Sequence, residues 1–217
     1  MLRKRKDYFS SIRWDLISFV SEGNNRILEI GCGEGNTGKA LKEQGKAVEV
    51  VGVEKVPEIA EIAKTKIDKV LCADVETIEL LTSTGDFDYI IMGDVLEHLY
   101  DPWICVNKLG RYLKKGGYLI ASIPNIRNWR IIRDLVLKGE WNYSSQGLLD
   151  DTHLRFFTKK SILKLFSSED FFIYRLIPEF ESRSTYKCGI KKQFNNITLG
   201  LFEGFLTFQY IVIVKKL

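Results

Sequence analysis

The chain has 217 residues, with 32 lysines and arginines against 28 aspartates and glutamates, which gives a formal net charge of +4. This length fits one α/β domain with a substantial core, and the near-balanced charge disfavours nucleic acid and anionic membranes as partners. The 4 cysteines stand far apart with no CxxC pair, so neither a zinc site nor a disulfide framework is indicated.

Strand-like and helix-like segments alternate along the chain. Residues 8–20 are predicted to form an amphipathic helix within an N-terminal segment, 1–24. Short apolar runs predict buried strands at residues 27–30, 50–54, 70–74, from 87 onward, 171–177 and 209–214. Residues that commonly begin or end helices mark the helix boundaries: Gly45, Pro57, Asp101 and Thr158. This alternation predicts a parallel sheet with helices on both faces.

The segment Arg26-Ile-Leu-Glu-Ile-Gly-Cys-Gly-Glu-Gly35, followed by Gly38, reads as a strand, a glycine turn and a helix. Glycine permits positive φ and lets the backbone approach a ligand closely. Glu54 ends the next strand about twenty residues on, where a carboxylate can bind two ribose hydroxyls. These features predict a nucleoside-containing cofactor, and the literal GxGxxG match over residues 33–38 keeps a nicotinamide dinucleotide open.

Four motifs, taken in order, resemble those of the class I S-adenosylmethionine-dependent methyltransferases. Residues 29–35 resemble motif I, and the strand ending at Asp74 is similar to the one that places a carboxylate on the adenine. Residues 87–98 resemble motif IV, and residues 113–125 resemble the glycine turn and fifth strand that follow. The resemblance implies a Rossmann-like, doubly wound seven-stranded sheet, mostly parallel with an antiparallel last strand. It implies one methyltransferase domain over residues 1–217, with S-adenosylmethionine as cofactor and S-adenosylhomocysteine as product.

The same resemblance implies which residues bind the cofactor. They come from the ends of four strands: Glu29, Gly31, Cys32, Gly33, Glu54, Lys55, Asp74, Val75 and Asp94. Glu54 is expected to accept the ribose hydroxyls, and Asp74 with the Val75 backbone to contact the adenine. Glu29 either fixes the glycine loop or contacts the amino group of the cofactor. Glu54 and Asp74 have the simpler interpretation of surface acids at strand ends.

His153 is the candidate catalytic base, and it lies in Thr152-His-Leu-Arg-Phe-Phe-Thr158. This segment resembles a signature of bacterial glycan and quinone-like small-molecule methyltransferases. A histidine that only anchors the preceding insert is the alternative, and for His98 a structural role is favoured. Asp94, Asp150, Asp151 and His153 could form an oxygen-rich metal site, but their spacing does not require one, and we expect no metal.

Residues 125–157 form a predicted insert that faces the substrate. The candidate substrate-binding residues are aromatic or charged: Trp129, Tyr143, Asp151 and Arg155. Aromatic rings stack on sugars, and arginines pair with phosphate or carboxylate. An amphipathic helix that packs on the sheet is the alternative interpretation of the first part of this insert. The motif IV loop lacks the signatures of adenine N6 and cytosine C5 enzymes, which again disfavours nucleic acid.

We therefore predict methyl transfer from S-adenosylmethionine to a hydroxyl of a small molecule, with a sugar or glycan precursor as the first choice. A quinone-like or other small-molecule O, N or C centre is the alternative within the enzyme class. A non-catalytic cofactor-binding module that serves a partner enzyme is the alternative from another class. We expect a cytoplasmic location, because no signal peptide or membrane-spanning stretch is recognisable. The oligomeric state is left open.

Overall fold

The computed structural model describes residues 8–79, 84–180 and 188–217. One seven-stranded sheet runs through it, in the order β3-β2-β1-β4-β5-β7-β6. Its strands are β1 (Arg26–Ile30), β2 (Glu49–Glu54), β3 (Lys69–Cys72), β4 (Phe87–Gly93), β5 (Leu113–Pro124), β6 (Phe171–Glu179) and β7 (Gln209–Lys216). Strands β1 to β5 pair in parallel, and β7 runs antiparallel to both of its neighbours. The predicted fold class, including the antiparallel last strand, is confirmed.

The helices connect these strands and cover the sheet. They are α1 (Trp14–Ile17), α2 (Asn36–Glu43), α3 (Pro57–Ala63), α4 (Pro102–Gly110), α5 (Trp129–Arg133), α6 (Lys159–Leu165), α7 (Cys188–Ile197) and α8 (Glu203–Leu206). A 3₁₀ turn spans Leu96–His98, and a π-helical turn, Asp134–Lys138, continues α5. In the described part of the chain, no helix is long and apolar enough to cross a bilayer.

The central strands are apolar on both faces because helices cover both. Successive side chains of β4 point to opposite faces, as strand geometry requires. Ile90 and Met92 pack in one core cluster, while Tyr89 and Ile91 pack in the other. Strands buried on both faces are typical of parallel sheets.

Most of the predicted helix boundaries are confirmed. Gly45 follows α2 with φ +66°, and Pro57 is the first residue of α3. The Asp101 carboxylate accepts a hydrogen bond from the Ile104 amide at the start of α4. Thr158 and Ser161 form a capping box at the start of α6.

The N-terminal helix is much shorter than predicted, because only Trp14–Ile17 is α-helical. Residues 8–13, which we call the N-terminal strap, cross the glycine turn (residues 31–35, also called the glycine loop below) instead. The Phe9 carbonyl accepts the Glu34 amide at 2.9 Å, and the Ser10 carbonyl accepts Asn36 Nδ2 at 2.8 Å. These bonds take up carbonyls that a helix would use internally. Residues 1–7 of the predicted segment lie outside the described residues.

Candidate functional site

The carboxyl ends of the parallel strands bring the predicted cofactor-binding residues to one edge of the sheet. Strand β1 runs into the glycine turn, β2 ends at Glu54, and β4 is followed directly by Asp94. Asp74 lies two residues beyond β3. Ligands of open α/β sheets bind at this edge, where the strand order reverses.

The glycine turn needs its glycines for different reasons. Gly31 and Gly33 have φ of +67° and +53°, which side chains rarely allow. A Cβ at Gly33 would also lie 2.5 Å from the carbonyl oxygen of Phe9 in the N-terminal strap. Gly38 lies within α2, where a Cβ would lie 2.7 Å from Ile67 and 2.8 Å from Val50. Gly38 therefore lets α2 pack closely on the sheet.

Cys32 offers only its backbone to a ligand, because its side chain points into the core. The residue is buried, and its sulfur lies 2.5 Å from the position of a Cβ at Gly52. Burial raises the pKa of the Cys32 thiol far above its usual value, with nearby Glu29 and Glu54 adding to the effect. The thiol is thus a packing group, and the chain presents only main-chain atoms here.

Glu54 is buried beneath the glycine loop and fixes it. Its Oε2 accepts the Gly33 amide at 3.0 Å, and its Oε1 accepts the Val56 amide at 2.9 Å. A carboxylate oxygen has two lone pairs, so each oxygen can accept one further hydrogen bond. Glu54 can therefore hold the loop and bind a ribose diol at the same time.

Lys55, Asp74 and Val75 lie together at the ends of β2 and β3. Lys55 Nζ donates to Asp74 Oδ2 at 2.7 Å, and the Glu76 amide donates to Asp74 Oδ1 at 2.9 Å. Partial burial alone would raise the pKa of Asp74, but these hydrogen bonds, that of Lys55 above all, outweigh it and lower the pKa. The Val75 side chain is buried in the core, and its carbonyl accepts Lys108 Nζ at 2.8 Å.

Glu29 lies under the start of α2, where it is almost fully buried. Burial raises the pKa of Glu29 to about 8, although Arg13, the Gly38 amide and the Thr37 hydroxyl each lower it. Thr37 and Gly38 belong to the first turn of α2, and Arg13 belongs to the N-terminal strap. Because these partners are all parts of the scaffold around the loop, the geometry favours the structural interpretation of Glu29 over contact with the cofactor.

Arg13 is a site residue that the sequence analysis missed. Its buried guanidinium donates to Asp94 Oδ2 at 3.3 Å and to Ser122 Oγ at 2.8 Å, and it also pairs with Asp15. The Ser122 hydroxyl donates in turn to Asp94 Oδ1 at 2.5 Å. Arg13 and Asp94 lie 81 positions apart, so no local pattern links them. The one signal was an arginine within an apolar segment.

The two histidines pack against each other between the motif IV loop and the insert. Their ring centroids are 4.7 Å apart. His98 Nδ1 lies 3.1 Å from the Thr152 carbonyl oxygen, and His153 Nδ1 lies 3.2 Å from the Leu148 carbonyl oxygen. A carbonyl only accepts hydrogen bonds, so both histidines donate from Nδ1–H and their Nε2 atoms carry the lone pairs when neutral. His153 is therefore both anchored and able to act as a base.

Glu97 is a second residue that the sequence analysis left without a role. Its side chain is buried, and Oε1 lies 3.9 Å from His153 Nε2. Glu97, His98 and His153 each bring a possible ligand atom to within 4.8 Å of the others, a set that is able to hold a divalent cation. This set differs from the oxygen-rich group considered from sequence, of which it shares only His153.

The electrostatics of His153 favour its neutral form. Burial, together with the neighbouring His98, lowers the pKa of His153 to about 4, although Asp150 acts in the opposite direction. Asp150 is itself buried and accepts from the Thr152 hydroxyl at 2.6 Å. His153 is therefore unprotonated at neutral pH, which a general base requires.

Tyr8, in the N-terminal strap, shows that the site is acidic. Burial raises the pKa of its hydroxyl well above the usual value, and carboxylates from different parts of the chain add to the shift. They are Asp150, Glu97, Asp94 and Glu54. The strap thus brings Tyr8 into the field of acids from β2, the motif IV loop and the insert.

The predicted substrate-binding residues are spread over the insert. Trp129 begins α5 with its ring partly exposed, and the guanidinium of Arg133 lies 5.1 Å from the ring centroid. The ring of Tyr143 is exposed. Asp151 donates its backbone amide to the Ser144 carbonyl at 2.9 Å.

Arg155 already has partners in this arrangement. Its Nε donates to the Tyr100 carbonyl oxygen at 3.0 Å, and its guanidinium lies 5.9 Å from the Trp103 ring centroid. It therefore ties the insert to the start of α4. Its substrate-binding role stays a prediction that requires an exchange of these contacts.

A cavity of about 270 Å³ opens within the insert. Both charged and apolar residues line it: Arg130, Ile131, Asp134, Glu140, Asn142, Ser144, Leu148 and Leu149. Leu148 is also the residue whose carbonyl anchors His153. The cavity and the candidate base are therefore neighbours.

Over residues 1–175, the chain matches the protein family described as a methyltransferase domain. Ubiquinone biosynthesis O-methyltransferases are among its relatives. The one from Xylella fastidiosa is 34% identical over 120 residues, 52% of this chain and 48% of the relative. That from Cereibacter sphaeroides is 32% identical over 120 residues, 54% and 47% of the two chains. The chain thus spans about half the length of these curated relatives.

Solved structures share the fold at low sequence identity. A methyltransferase from Archaeoglobus fulgidus has a TM-score of 0.61 at 17% identity, with 97% of each chain covered. One from Mesorhizobium loti has a TM-score of 0.63 at 16% identity, covering 93% of this chain and 95% of the other. The [4+2]-cyclase SpnF scores 0.63 at 18% identity, covering 93% and 79%. Together with the family match, these likenesses confirm the predicted class I methyltransferase domain.

Proposed function

Because the chain belongs to the methyltransferase-domain family, we propose that it transfers a methyl group from S-adenosylmethionine to a hydroxyl oxygen of a small molecule. The acidic lining at the strand ends is the observation that carries this proposal. Glu54 ends β2, Asp74 lies two residues beyond β3, Asp94 directly follows β4, and Glu97 lies in the 3₁₀ turn after it.

This lining fits a cationic nucleoside cofactor. S-adenosylmethionine carries positive charge on its sulfonium and amino groups and one negative carboxylate, so its net charge is positive, whereas NAD carries an anionic pyrophosphate. Carboxylates near the glycine turn attract the first group and repel the second. The acids therefore separate the two cofactors that the glycine pattern alone left open.

Residues at the strand ends would each bind a different part of the cofactor. Glu54 would accept the ribose hydroxyls with its remaining lone pairs, and Asp74 would receive the adenine amino group. Backbone at Gly31 and Gly33 would approach the ribose and methionine portion, since neither residue has a side chain in the way. Asp94 would face the positively charged methionine end.

When bound, S-adenosylmethionine supplies an electrophilic methyl group for in-line displacement. The chain aligns the two partners, and holding reactants in a near-attack geometry is worth roughly 7–11 kcal/mol. His153 would remove the acceptor proton at Nε2, while its Nδ1–H bond to the Leu148 carbonyl keeps the ring oriented. The Glu97 carboxylate, 3.9 Å from Nε2, would pair with the imidazolium once the proton has been taken up. No metal is part of this proposal.

The acceptor is a small molecule, and a quinone-like phenolic hydroxyl is our first candidate. The matched relatives are named for ubiquinone biosynthesis, and each match extends over 120 residues at 32–34% identity. A phenol loses its proton more readily than a sugar hydroxyl, which suits the weak basicity of His153. A sugar precursor stays the second candidate, supported by the arginines around Trp129.

A transfer assay with methyl-tritiated S-adenosylmethionine distinguishes these acceptors. One panel contains catechol and demethylquinol head groups, and the other contains nucleotide sugars. We expect labelled product from the first panel, inhibited by S-adenosylhomocysteine. Product from nucleotide sugars alone would overturn the quinone-like assignment. Cofactor binding without product in either panel would favour the non-catalytic module.

A further inference from the structure

A second cavity, of about 440 Å³, opens where the two ends of the insert meet. Asn125, the residue after β5, forms a β-bridge with Phe157, and the Ile126 amide donates to the Phe157 carbonyl at 2.9 Å. We call it the basic cavity, and its lining includes Asn125, Arg127, Lys159, Lys160, Leu201 and Glu203. These residues are distinct from those assigned above to the cofactor and from the histidine cluster.

Positive charge dominates the lining of the basic cavity. Three cations stand against one acid, Glu203, whose carboxylate already has partners. Its Oε1 accepts Lys159 Nζ at 2.8 Å and the Tyr210 hydroxyl at 3.3 Å. Within the part of the chain that the structure describes, Arg127 and Lys160 form no ion pair. Two cations that share a cavity without a counter-ion attract an anion.

Arg127 is held in place before any ligand arrives. Its guanidinium carbon lies 4.3 Å from the centroid of the Phe205 ring, and a Cβ at Gly204 would lie 3.0 Å from its Nη1. Buried Asn125 accepts the Arg127 amide at Oδ1 and donates from Nδ2 to the Gly204 carbonyl, at 3.2 and 2.8 Å. A guanidinium stacked on a ring keeps its N–H edge for paired hydrogen bonds to phosphate.

Apolar side chains stand in solvent next to this charge. Leu201 lines the cavity and is 78% exposed, and Leu199 is 95% exposed. Leu199 has a φ of +50°, a left-handed conformation that bulky residues rarely adopt. Ile197 and Phe202 are exposed as well. We call residues 197–202 the apolar rim, because a contiguous run of exposed apolar residues is typical of a binding surface.

We propose that the basic cavity is a second binding site, which binds the phosphate group of a small amphiphilic molecule while the apolar rim contacts its hydrocarbon part. A phosphate with two negative charges matches the two cations that lack an ion pair, Arg127 and Lys160. Because Leu201 belongs to both the cavity and the rim, one molecule with both groups fits the arrangement. The inference goes beyond the proposed function and does not depend on methyl transfer.

The test titrates the full chain calorimetrically with hexyl phosphate and, separately, with inorganic phosphate. We expect hexyl phosphate to bind at least tenfold more tightly, because the rim removes part of its alkyl chain from water. Equal affinities would contradict the amphiphilic ligand, and absence of hexyl phosphate binding would overturn the site. Saturating S-adenosylhomocysteine should change the affinity less than twofold, whereas competition would place the phosphate at the glycine loop instead.

Lys160→Met and Lys164→Met form a matched pair, since both lysines belong to α6 but only Lys160 lines the cavity. We expect the first change to weaken hexyl phosphate binding at least fivefold and the second to leave it unchanged. Equal effects would show non-specific attraction and contradict the site. Arg127→Met keeps an apolar side chain on Phe205 and should cost tenfold or more; should it not fold, the lysine pair decides.

Leu201→Ser tests the apolar rim. It should weaken hexyl phosphate binding at least threefold and leave inorganic phosphate binding unchanged. Equal losses for both probes would contradict a role of the rim in binding the hydrocarbon part.

Two further outcomes separate this inference from its neighbours. Binding to vesicles that contain phosphatidic acid, without binding of monomeric hexyl phosphate, would overturn the assignment to a single small molecule. Hexyl phosphate binding in a protein that shows no methyl transfer would support this site and refute only the proposed function. Methyl transfer without hexyl phosphate binding would refute this inference alone.

Discussion

His153 donates from Nδ1 to the Leu148 carbonyl at 3.2 Å, and this single bond decides which ring nitrogen can act as a base. The lone pair then lies on Nε2, on the side of Glu97. If His153 removes the acceptor proton, His153→Ala should reduce turnover on the order of 10²–10⁴-fold. Cofactor affinity, measured by calorimetry, should stay within about twofold of wild type.

His98→Gln is the control for this change, since it alters the other histidine of the pair. We expect it to cost less turnover than His153→Ala. Near-wild-type turnover in His153→Ala would return His153 to an anchoring role. A cofactor affinity that falls together with turnover would do the same.

The pH dependence of kcat/KM gives an independent check on the base. The pKa of His153 is lowered to about 4, so the free enzyme should lose activity only as pH falls toward that value. An ordinary histidine would produce an acid limb near its usual 6.5. The same pKa shift affects stability. Between pH 6.5 and about 4 the native state binds fewer protons at His153 than the unfolded state does, so the contribution of His153 to stability is fully present above pH 6.5 and is lost as the pH falls toward 4.

Chelation separates the base from a metal site at the same cluster. If Nε2 of His153 is a free base, removal of divalent cations with EDTA should leave turnover unchanged. A loss of turnover that Zn²⁺ or Mn²⁺ restores in wild type, but not in Glu97→Gln, would show that the cluster binds a cation instead. Initial rates before and after dialysis suffice.

Glu54→Gln tests the ribose assignment. The amide keeps the size of the side chain, but it can no longer accept at both positions as a charged group. We expect affinity for S-adenosylhomocysteine to fall at least about tenfold, with circular dichroism unchanged. Glu49→Gln, at the start of the same strand, is the control and should bind normally. Unchanged affinity in Glu54→Gln would overturn the assignment.

Glu29→Gln should change how stability depends on pH. The pKa of Glu29 rises from 4.5 to about 8 on folding, so the native state binds more protons between these values. Its contribution to stability is therefore greatest below 4.5 and is lost as pH rises through 8. Thermal melts should show wild type losing stability relative to Glu29→Gln as the pH rises from 4.5 to about 8. A pH-independent difference would contradict the burial effect.

The sequence was sufficient to predict the sheet and the part of the site that follows it. Strand ends and glycine turns are local patterns, so the positions of Glu54, Asp74 and Asp94 at one edge could be inferred from the parallel order. The strap could not be inferred, because the apolar spacing of residues 8–20 fits a helix equally well. Its hydrogen bonds to the loop decide against the helix.

The contacts of Arg13 and Glu97 were beyond the reach of local patterns for a related reason. Each acts through a partner far along the chain, Asp94 for Arg13 and His153 for Glu97. Periodicity shows which face of an element is buried, but it does not show which distant side chain lies there. Buried charged residues near motif ends are the signal that would direct attention to such pairs.

Calorimetric titration with S-adenosylhomocysteine, with NAD titrated in parallel, tests the cofactor assignment most directly. The family match and the placement of Glu54 beneath the glycine turn predict micromolar binding of S-adenosylhomocysteine, about −8 kcal/mol. The acids at the strand ends predict no binding of NAD, because they repel its pyrophosphate. Binding of NAD alone would contradict the assignment of this site to S-adenosylmethionine.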